Sequence, residues 1–523
     1  MKAVEWRRLV PVTANALLPR ALAAVAFVVL ATGIAKAWPF TVDDAYITCR
    51  YSRNVAEGLG FTFNATGPRA EGYTTFSWMV LLVVPHLLGV DAVLAAKWLG
   101  IAATFATWIV AAQWARAEAT WGRGEAGREG GAWAFVGTAV CLAAIPATAI
   151  HAVSGMETAL FTLVLTAMFA TAADLVRGSA RAARSLVVLA LLLGLTRPEG
   201  NLAAAVVVGT CAALLPREEA RSLVGRSLLA WVLPIGIYEA WRFGYYGLPF
   251  PLPFYIKLGT PERLPGWPDV RDWLEGPLLH FGVLVLAGLA RPARSLRPAL
   301  FAAAVLTAFF VLPQHQMGYE HRYLAPLDPF CAVLAGIGLA RLAVSTRVRV
   351  GFARAGAATL VMLSSGLELA GARGAIAGAV EYGDGLSQAH ERLGRELRAL
   401  GTPGARLAIG DAGAVPYLSG WWTLDLVGLN DARIATTGKR EPQALLAEQL
   451  DVVVLASEDA DRFQPWDWNP WEAPFLAACV DAGFVRVALR RFGPTYWLWV
   501  MARPDSPAAR AFSIPSSSYA TAS

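Results

Sequence analysis

From residue 21 to residue 371 the chain alternates long apolar runs with short polar breaks, and after Gly371 that rhythm stops. A membrane span needs about 20 mostly apolar residues, with some latitude either side. By that criterion the runs at 21–39, 92–115, 132–150, 157–175, 185–195, 200–215, 227–242, 276–290, 298–312, 323–340 and 355–371 predict about eleven transmembrane helices. Several are short or broken by Pro or Gly, which membranes tolerate where neighbouring helices or a cavity satisfy the freed backbone. The stretch 74–89 (TTFSWMVLLVVPHLLG) is read differently, as a re-entrant or surface-lying helix ended by Pro85 and Gly89.

Beyond Gly371 comes a polar helical stretch, GLSQAHERLGRELRALG, and then five short apolar runs: RLAIG, WWTLDLVG, DVVVLAS, FVRVALRRF and YWLWVMARP. Gly, Pro and Asp clusters separate them, a pattern of strands alternating with helices. The predicted fold is a polytopic α-helical membrane protein with a C-terminal α/β soluble domain. Its parts are a transmembrane domain over 1–371 with a large first loop at 40–90, the α/β domain over 372–510, and a Ser-rich tail, 511–523, read as disordered.

Composition agrees with a bilayer protein: mean hydropathy is +0.46 and only 16% of residues are charged, too few for a soluble surface of this size. The arginines cluster at Arg7/Arg8/Arg20, Arg116/Arg123/Arg128, Arg177/Arg181/Arg184, Arg217/Arg221/Arg226, Arg291/Arg294/Arg297 and Arg341/Arg347/Arg349/Arg354. Placing each cluster on the cytoplasmic side satisfies the positive-inside rule at every second loop, provided 74–89 does not cross. The N-terminus is then cytoplasmic, while loop 40–90 and everything after about residue 372 lie outside the plasma membrane. Topology accounts for the net charge of +6, so no nucleic-acid partner is inferred. The first apolar run leads into a charged motif, not a small-residue cleavage site, and predicts an anchor. The five cysteines form no metal or redox spacing; Cys49 and Cys479, both predicted outside, could pair, but are expected to stay reduced and buried.

Charge at the outer edge carries the candidate chemistry. Asp43 and Asp44 follow the first span directly. A helix over Ala45–Glu57 would put Ile47, Tyr51 and Val55 on one face, with Tyr46, Arg50, Arg53 and Glu57 on or near another. An N-terminal cap explains one acid but not two, nor the returning Glu71, Gly72, Tyr73 and Thr74. Asp43 sits nearest the membrane edge and is assigned the chemistry. Asp44 is placed to cap Ile47 or Thr48, or to pair with Arg50 or Arg53.

On the same predicted face lie His151, Ser154 and Glu157, then Arg197 and Glu199, then Tyr245, Tyr246, Tyr255 and Lys257, in a segment whose prolines preclude a regular helix. Glu320, His321, Arg322 and Tyr323 complete the set, while the neighbouring His315 is expected to be solvated in its loop. Ionisable groups at a membrane edge are functional candidates. Arg197 and Glu199 equally suit an ion pair locking a broken helix, and Lys257 and Arg322 equally suit snorkelling to headgroups. Cations facing paired acids favour a lipid phosphate, held by Lys257, Arg322, His321 and Tyr255 beside a carboxylate base. The segment GDAGAVPYLSGWWTLDLVGLND, Gly410–Asp431, reads either as tight turn chemistry or as a sugar or metal site, and a divalent cation stays open as a cofactor.

DDAYITCRYSRN, EGLGFTFN, EGYTTFSW, HAVSGMETALF, LTRPEGN, YYGLPFPLPFYIKLG, HRYLAPLDP and GDAGAVPYLSGWWTLDLVGLND occur in that order. In them the chain resembles bacterial GT-C membrane glycosyltransferases, most nearly the group of the mycobacterial terminal β-(1→2) arabinofuranosyltransferase. The resemblance implies a GT-C fold, a polyprenyl-phosphate-linked sugar donor, a cell-envelope glycan or glycoconjugate acceptor, and an outer-face site in the first loop with Asp43 and Asp44 as its acids. Arabinofuranose is the favoured sugar, with a hexose such as mannose the alternative. A transporter of lipid-linked sugars should instead line a midplane path with charge and show inverted repeats, which are not visible here. A non-enzymatic scaffold leaves the paired acids without a role.

Overall fold

A computed structural model describes residues 14–121, 124–258, 265–290, 292–313, 315, 317–344 and 350–512. Arg7, Arg8, Arg123, Arg291, Arg347, Arg349 and the tail beyond Phe512 lie outside the described residues. Each predicted apolar run coincides with a helix. Among the described residues six helices are long and apolar enough to cross a bilayer, or eight if two bent pairs each count once. One bent pair breaks by 65° between Gly127–Ala144 and Pro146–Val153, where Pro146 removes a backbone donor. The helices Ala182–Thr196, Glu199–Leu214 and Arg297–Phe309 are shorter. The protein is a multi-pass membrane protein.

The helix Asp328–Ala343 forms the centre of the bundle and is buried almost throughout. Glycines let its neighbours approach to backbone contact: a Cβ on Gly338 would lie 1.9 Å from the Leu284 carbonyl oxygen, and one on Gly336 would lie 2.4 Å from that of Ala134. Small residues play this part where lipid supplies no hydrophobic drive between helices.

The stretch after the first loop forms two short helices, Phe76–Leu81 and Val83–Leu87, together too short to span. The break falls at Leu82. Pro85 does not end the helix as expected, because it lies in the first turn of the second piece, where its missing N–H costs little; Gly89, with φ +68°, ends it. The prolines near residue 250 likewise permit a short helix, Leu252–Leu258, with Pro253 in its first turn.

All five predicted strands form: β1 (Arg406–Ile409), β2 (Trp422–Asp425), β3 (Val452–Ser457), β4 (Val485–Gly493) and β5 (Tyr496–Ala502). They make one sheet of order β2-β1-β3-β5-β4, with β1 parallel to β2 and β3, and β5 antiparallel to β3 and β4. The expected boundary at 371/372 is not a break. The helix Val350–Leu386 runs through it and continues past Glu391 to Ala399, because the sequence turns polar there without losing its helix formers.

One face of the sheet packs against the first loop. Ile47, Tyr51, Phe63 and Tyr73 share a core with Leu407, Ile409, Val454, Leu498 and Val500, and Val55 packs on it. The predicted apolar face of the loop helix, which runs Asp43–Ala56, is the one that docks. Its other face meets the helix Ala414–Ser419: Arg53 donates to the Tyr417 carbonyl at 2.7 Å and lies over that ring.

Candidate functional site

Between the membrane helices and the sheet domain lies a cleft of about 1530 Å³. Asp43 and Asp44 line it from below, with Tyr319, Glu320 and Tyr382; His390, Asp411, Trp466, Trp468 and Tyr496 line it from above. Adjacency on a helix turns successive side chains by about 100°, and the two acids meet different surroundings.

Asp43 is 3% exposed and accepts the backbone N–H of Gly413 at 2.9 Å and of Ala414 at 2.8 Å. The start of the helix Ala414–Ser419 is thus seated on the first-loop acid. Burial pushes the Asp43 carboxyl up to about 7, with the neighbouring Asp411 adding to the rise and His390 and the Ala414 amide opposing it. Asp411 meets the His390 Nε2 at 2.9 Å and accepts from the Tyr496 hydroxyl. Burial raises its carboxyl, but those partners outweigh it and hold Asp411 below the usual carboxylate range. A protonatable group beside an ionised one is an arrangement suited to proton transfer.

Asp44 is half-buried, and burial raises its carboxyl while the Arg322 and Lys257 charges oppose the rise. Those cations belong to a cluster behind it. Arg322 pairs with Glu157 at 3.2 Å; Arg197 pairs with Glu199 at 2.7 Å and reaches Glu157 at 3.7 Å. Lys257 donates to the Tyr323 hydroxyl at 2.8 Å, and all three cations lie within 5.6 Å of the Tyr323 ring centre. The Nε of Arg322 and Nη1 of Arg197 are buried without an acceptor. Buried donors of this kind call for an anion or water.

The other candidates drawn from the sequence serve elsewhere. Asp44 makes no cap, and Arg50 does not pair with it. The Arg50 guanidinium instead donates to the carbonyls of Phe63, Pro416 and Trp421 and to Asn64, tying the loop to the sheet domain. With no acid beside it, burial lowers Arg50 to about 9. Glu71 forms a buried pair with Arg242 at 2.7 Å, and the Tyr73 hydroxyl lies 3.2 Å from that of Tyr246. Both fasten the loop to the helix Leu233–Tyr246, outside the cleft wall. Burial pushes Glu71 up to about 7 against the pull of Arg242. His151 meets the Glu320 carbonyl at 3.1 Å, and the Ser154 carbonyl accepts from Val42 at 3.0 Å, which sets the path into the loop helix. Burial lowers the His321 imidazole, with Asp269 and Asp272 opposing the fall; Tyr255 packs on Phe250 and Phe254.

Asp425 accepts the N–H groups of Val427, Gly428 and Asn430, so the turn chemistry of Gly410–Asp431 is real at its second half. Its first half supplies Asp411 to the cleft. His390 carries no local sequence signal; only a hydrogen bond to a residue 21 positions away marks it. Cys49 and Cys479 are buried, unbridged and in separate cores. Among the described residues no three His, Cys, Asp or Glu side chains are grouped to hold a metal ion.

Gly413 tests the seating directly. A Cβ there would lie 2.1 Å from the Asp43 carbonyl oxygen and 2.3 Å from its Oδ2. Gly413→Ala should therefore cost about 1–3 kcal/mol through overpacking, read as a lower melting temperature and faster proteolysis within 372–510.

A family model described as Domain of unknown function (DUF8728) matches residues 379–499. None of the curated proteins matches the chain in sequence. Among solved structures it is similar to ArnT from Cupriavidus metallidurans bound to undecaprenyl phosphate. The TM-score is 0.61 at 15% identity, covering 95% of this chain and 99% of that one. The apo form of ArnT gives 0.61 at 16% identity over 95% and 98%. Arabinofuranosyltransferase AftD from Mycobacteria gives 0.46 at 17% identity over 92% of this chain and 40% of that one, too low to bear on the fold. Over nearly its whole length, then, the chain has the fold of ArnT.

Proposed function

We propose that the protein is a glycosyltransferase that moves a sugar from a polyprenyl-phosphate donor to a cell-envelope glycan at the outer face of the plasma membrane. The observation that carries this reading is the division between the two adjacent acids. Both acids line the cleft: Asp43 is held by the Gly413 and Ala414 amides, with His390 and Asp411 among the charges acting on it, while Arg322 and Lys257 are the cations that act on Asp44. A displacement at the anomeric carbon needs a cation at the leaving phosphate and a base on the other side of the sugar. Asp43 takes the proton of the acceptor hydroxyl as that oxygen bonds to the anomeric carbon. The bond from that carbon to the phosphate oxygen breaks, and the electron pair leaves with the polyprenyl phosphate. Lys257 and Arg322 stabilise that leaving group, and the unpartnered guanidinium N–H groups offer it donors. That ArnT is seen with undecaprenyl phosphate supports a lipid phosphate on this fold. Arabinofuranose is the favoured sugar by sequence resemblance, and a hexose is the alternative. The one-step displacement inverts the anomeric centre, whereas the β product from a β-linked donor that the resemblance implies would have Asp43 stabilise an ion pair or act as nucleophile instead.

The test is incubation of the purified protein in nanodiscs with synthetic decaprenyl-phosphate arabinofuranose or decaprenyl-phosphate mannose, plus an oligosaccharide acceptor. One donor should be consumed and the Asp43→Asn/Asp44→Asn double variant should be inert. A folded wild type that neither transfers nor hydrolyses either donor would overturn the proposal.

A further inference from the structure

The wall of the cleft opposite the acids is aromatic, and the proposed chemistry makes no use of it. The segment FQPWDWNPW, residues 463–471, stacks Trp466 on Trp468 with ring centres 4.5 Å apart and planes at 19°. Trp468 is 66% exposed. A large flat apolar surface left open to a polar cleft is a binding feature, since burying it elsewhere would stabilise the fold. Trp466 continues inward edge-on to Tyr496 at 5.8 Å, and Tyr496 donates to Asp411 beside Asp43. The platform is therefore continuous with the reacting end of the cleft.

Two polar atoms at this wall lack partners. The Trp466 Nε1 is buried without an acceptor, and the Glu472 Oε1 has none although Glu472 is 1% exposed. The other Glu472 oxygen accepts the Ala456 N–H at 2.9 Å, and a Cβ on Gly410 would lie 3.4 Å from Oε1. Gly410 and Ala456 both line the cleft. Buried polar groups without partners at a cavity wall are open to a ligand or water that completes them. The requirement is thus a flat apolar face for stacking, with a hydrogen-bond acceptor and a donor at its rim. A sugar ring meets it, with a C–H face and equatorial hydroxyls. A lipid tail does not, because Asp467, Asn469 and Arg440 are interleaved with the tryptophans along the same wall. The cleft, at about 1530 Å³, also exceeds the roughly 300–1,000 Å³ typical of a drug-sized ligand, so it has room for several linked sugars.

We propose that the Trp466–Trp468 stack is a subsite for a sugar residue of the acceptor glycan, remote from the hydroxyl that reacts. This rests on the transferase reading and names its acceptor as an oligosaccharide long enough to reach from Asp43 to Trp468. The experiment compares wild type with Trp468→Ala and Trp468→Tyr, full-length in nanodiscs. It measures binding of a synthetic arabinofuranosyl hexasaccharide and of mannohexaose, and the KM for a hexasaccharide against a disaccharide acceptor. Loss of one stacked ring should weaken hexasaccharide binding and raise its KM by about tenfold. The kcat and the disaccharide KM should hold, and tyrosine should restore most of the loss. Equal hexasaccharide binding by wild type and Trp468→Ala would overturn the subsite, as a headgroup-anchoring role for Trp468 predicts. So would failure of wild type to bind either hexasaccharide. Binding needs no donor turnover, so a protein that binds glycan and transfers nothing would reject the transferase reading and leave the glycan platform standing.

Discussion

Asp43→Asn should lower sugar transfer by about 10²–10⁴, the usual cost of removing a positioned acid–base group. The carboxamide keeps the shape but cannot take a proton, and its NH₂ would face one of the two amides that now donate to Asp43. Some stability is lost as well, since a charge-assisted hydrogen bond contributes about 1.5–3 kcal/mol. Donor binding separates the two effects. Asp43→Asn should still bind undecaprenyl phosphate, because the cations lie on the Asp44 side. Asp44→Asn should keep measurable transfer and bind the lipid phosphate at least as well, having lost a negative charge beside Lys257 and Arg322. The reverse pattern of activities would move the base to Asp44.

Lys257→Ala and Arg322→Ala should each weaken undecaprenyl phosphate binding by about 2–5 kcal/mol, much of it the penalty of a partly desolvated charge left unpaired. Their effects on the fold should differ. Lys257 is half-buried and gives up one bond to a tyrosine hydroxyl, so its loss should barely move the melting temperature. Arg322 holds the fully buried Glu157, which would keep only Arg197 at 3.7 Å, and breaking a buried pair costs about 3–5 kcal/mol. A donor-binding titration with melting curves reads both. Unchanged affinity in both variants would remove these residues from the phosphate site.

What the sequence makes legible is what is local. Span-length apolar runs and the alternating strands of the last third declare themselves within windows of ten to twenty residues, and each proves to be a helix or a strand. The apolar face of the loop helix is also readable from spacing alone. Its partner is not, since Tyr51 meets Asn430 across 379 positions. A separation of 370 positions likewise hides Asp43 from Gly413, and 366 and 371 positions hide Arg50 from the carbonyls of Pro416 and Trp421. Arg50 misleads for a physical reason: a guanidinium beside two acids suggests an ion pair, yet a rigid fork of five donors can be satisfied by neutral carbonyls. The 371 boundary misleads because hydropathy reports the solvent of a segment, while helical hydrogen bonding continues regardless of it.

The shared core of the first loop and the sheet has a consequence in time. Tyr51 leaves the ribosome 379 residues before Asn430. At about 5–20 residues per second that is a delay of roughly 20–80 s. Throughout it Ile47, Tyr51 and Phe63 have no sheet to cover them, and the acids have no cleft. A nascent chain already threaded through the membrane thus lacks the assembled cleft, and its loop must be shielded until the last strand arrives. Assembly of the cleft is in this sense the final act of biogenesis, and a ribosome that stalls before β5 leaves behind a bundle whose first loop keeps its apolar face uncovered.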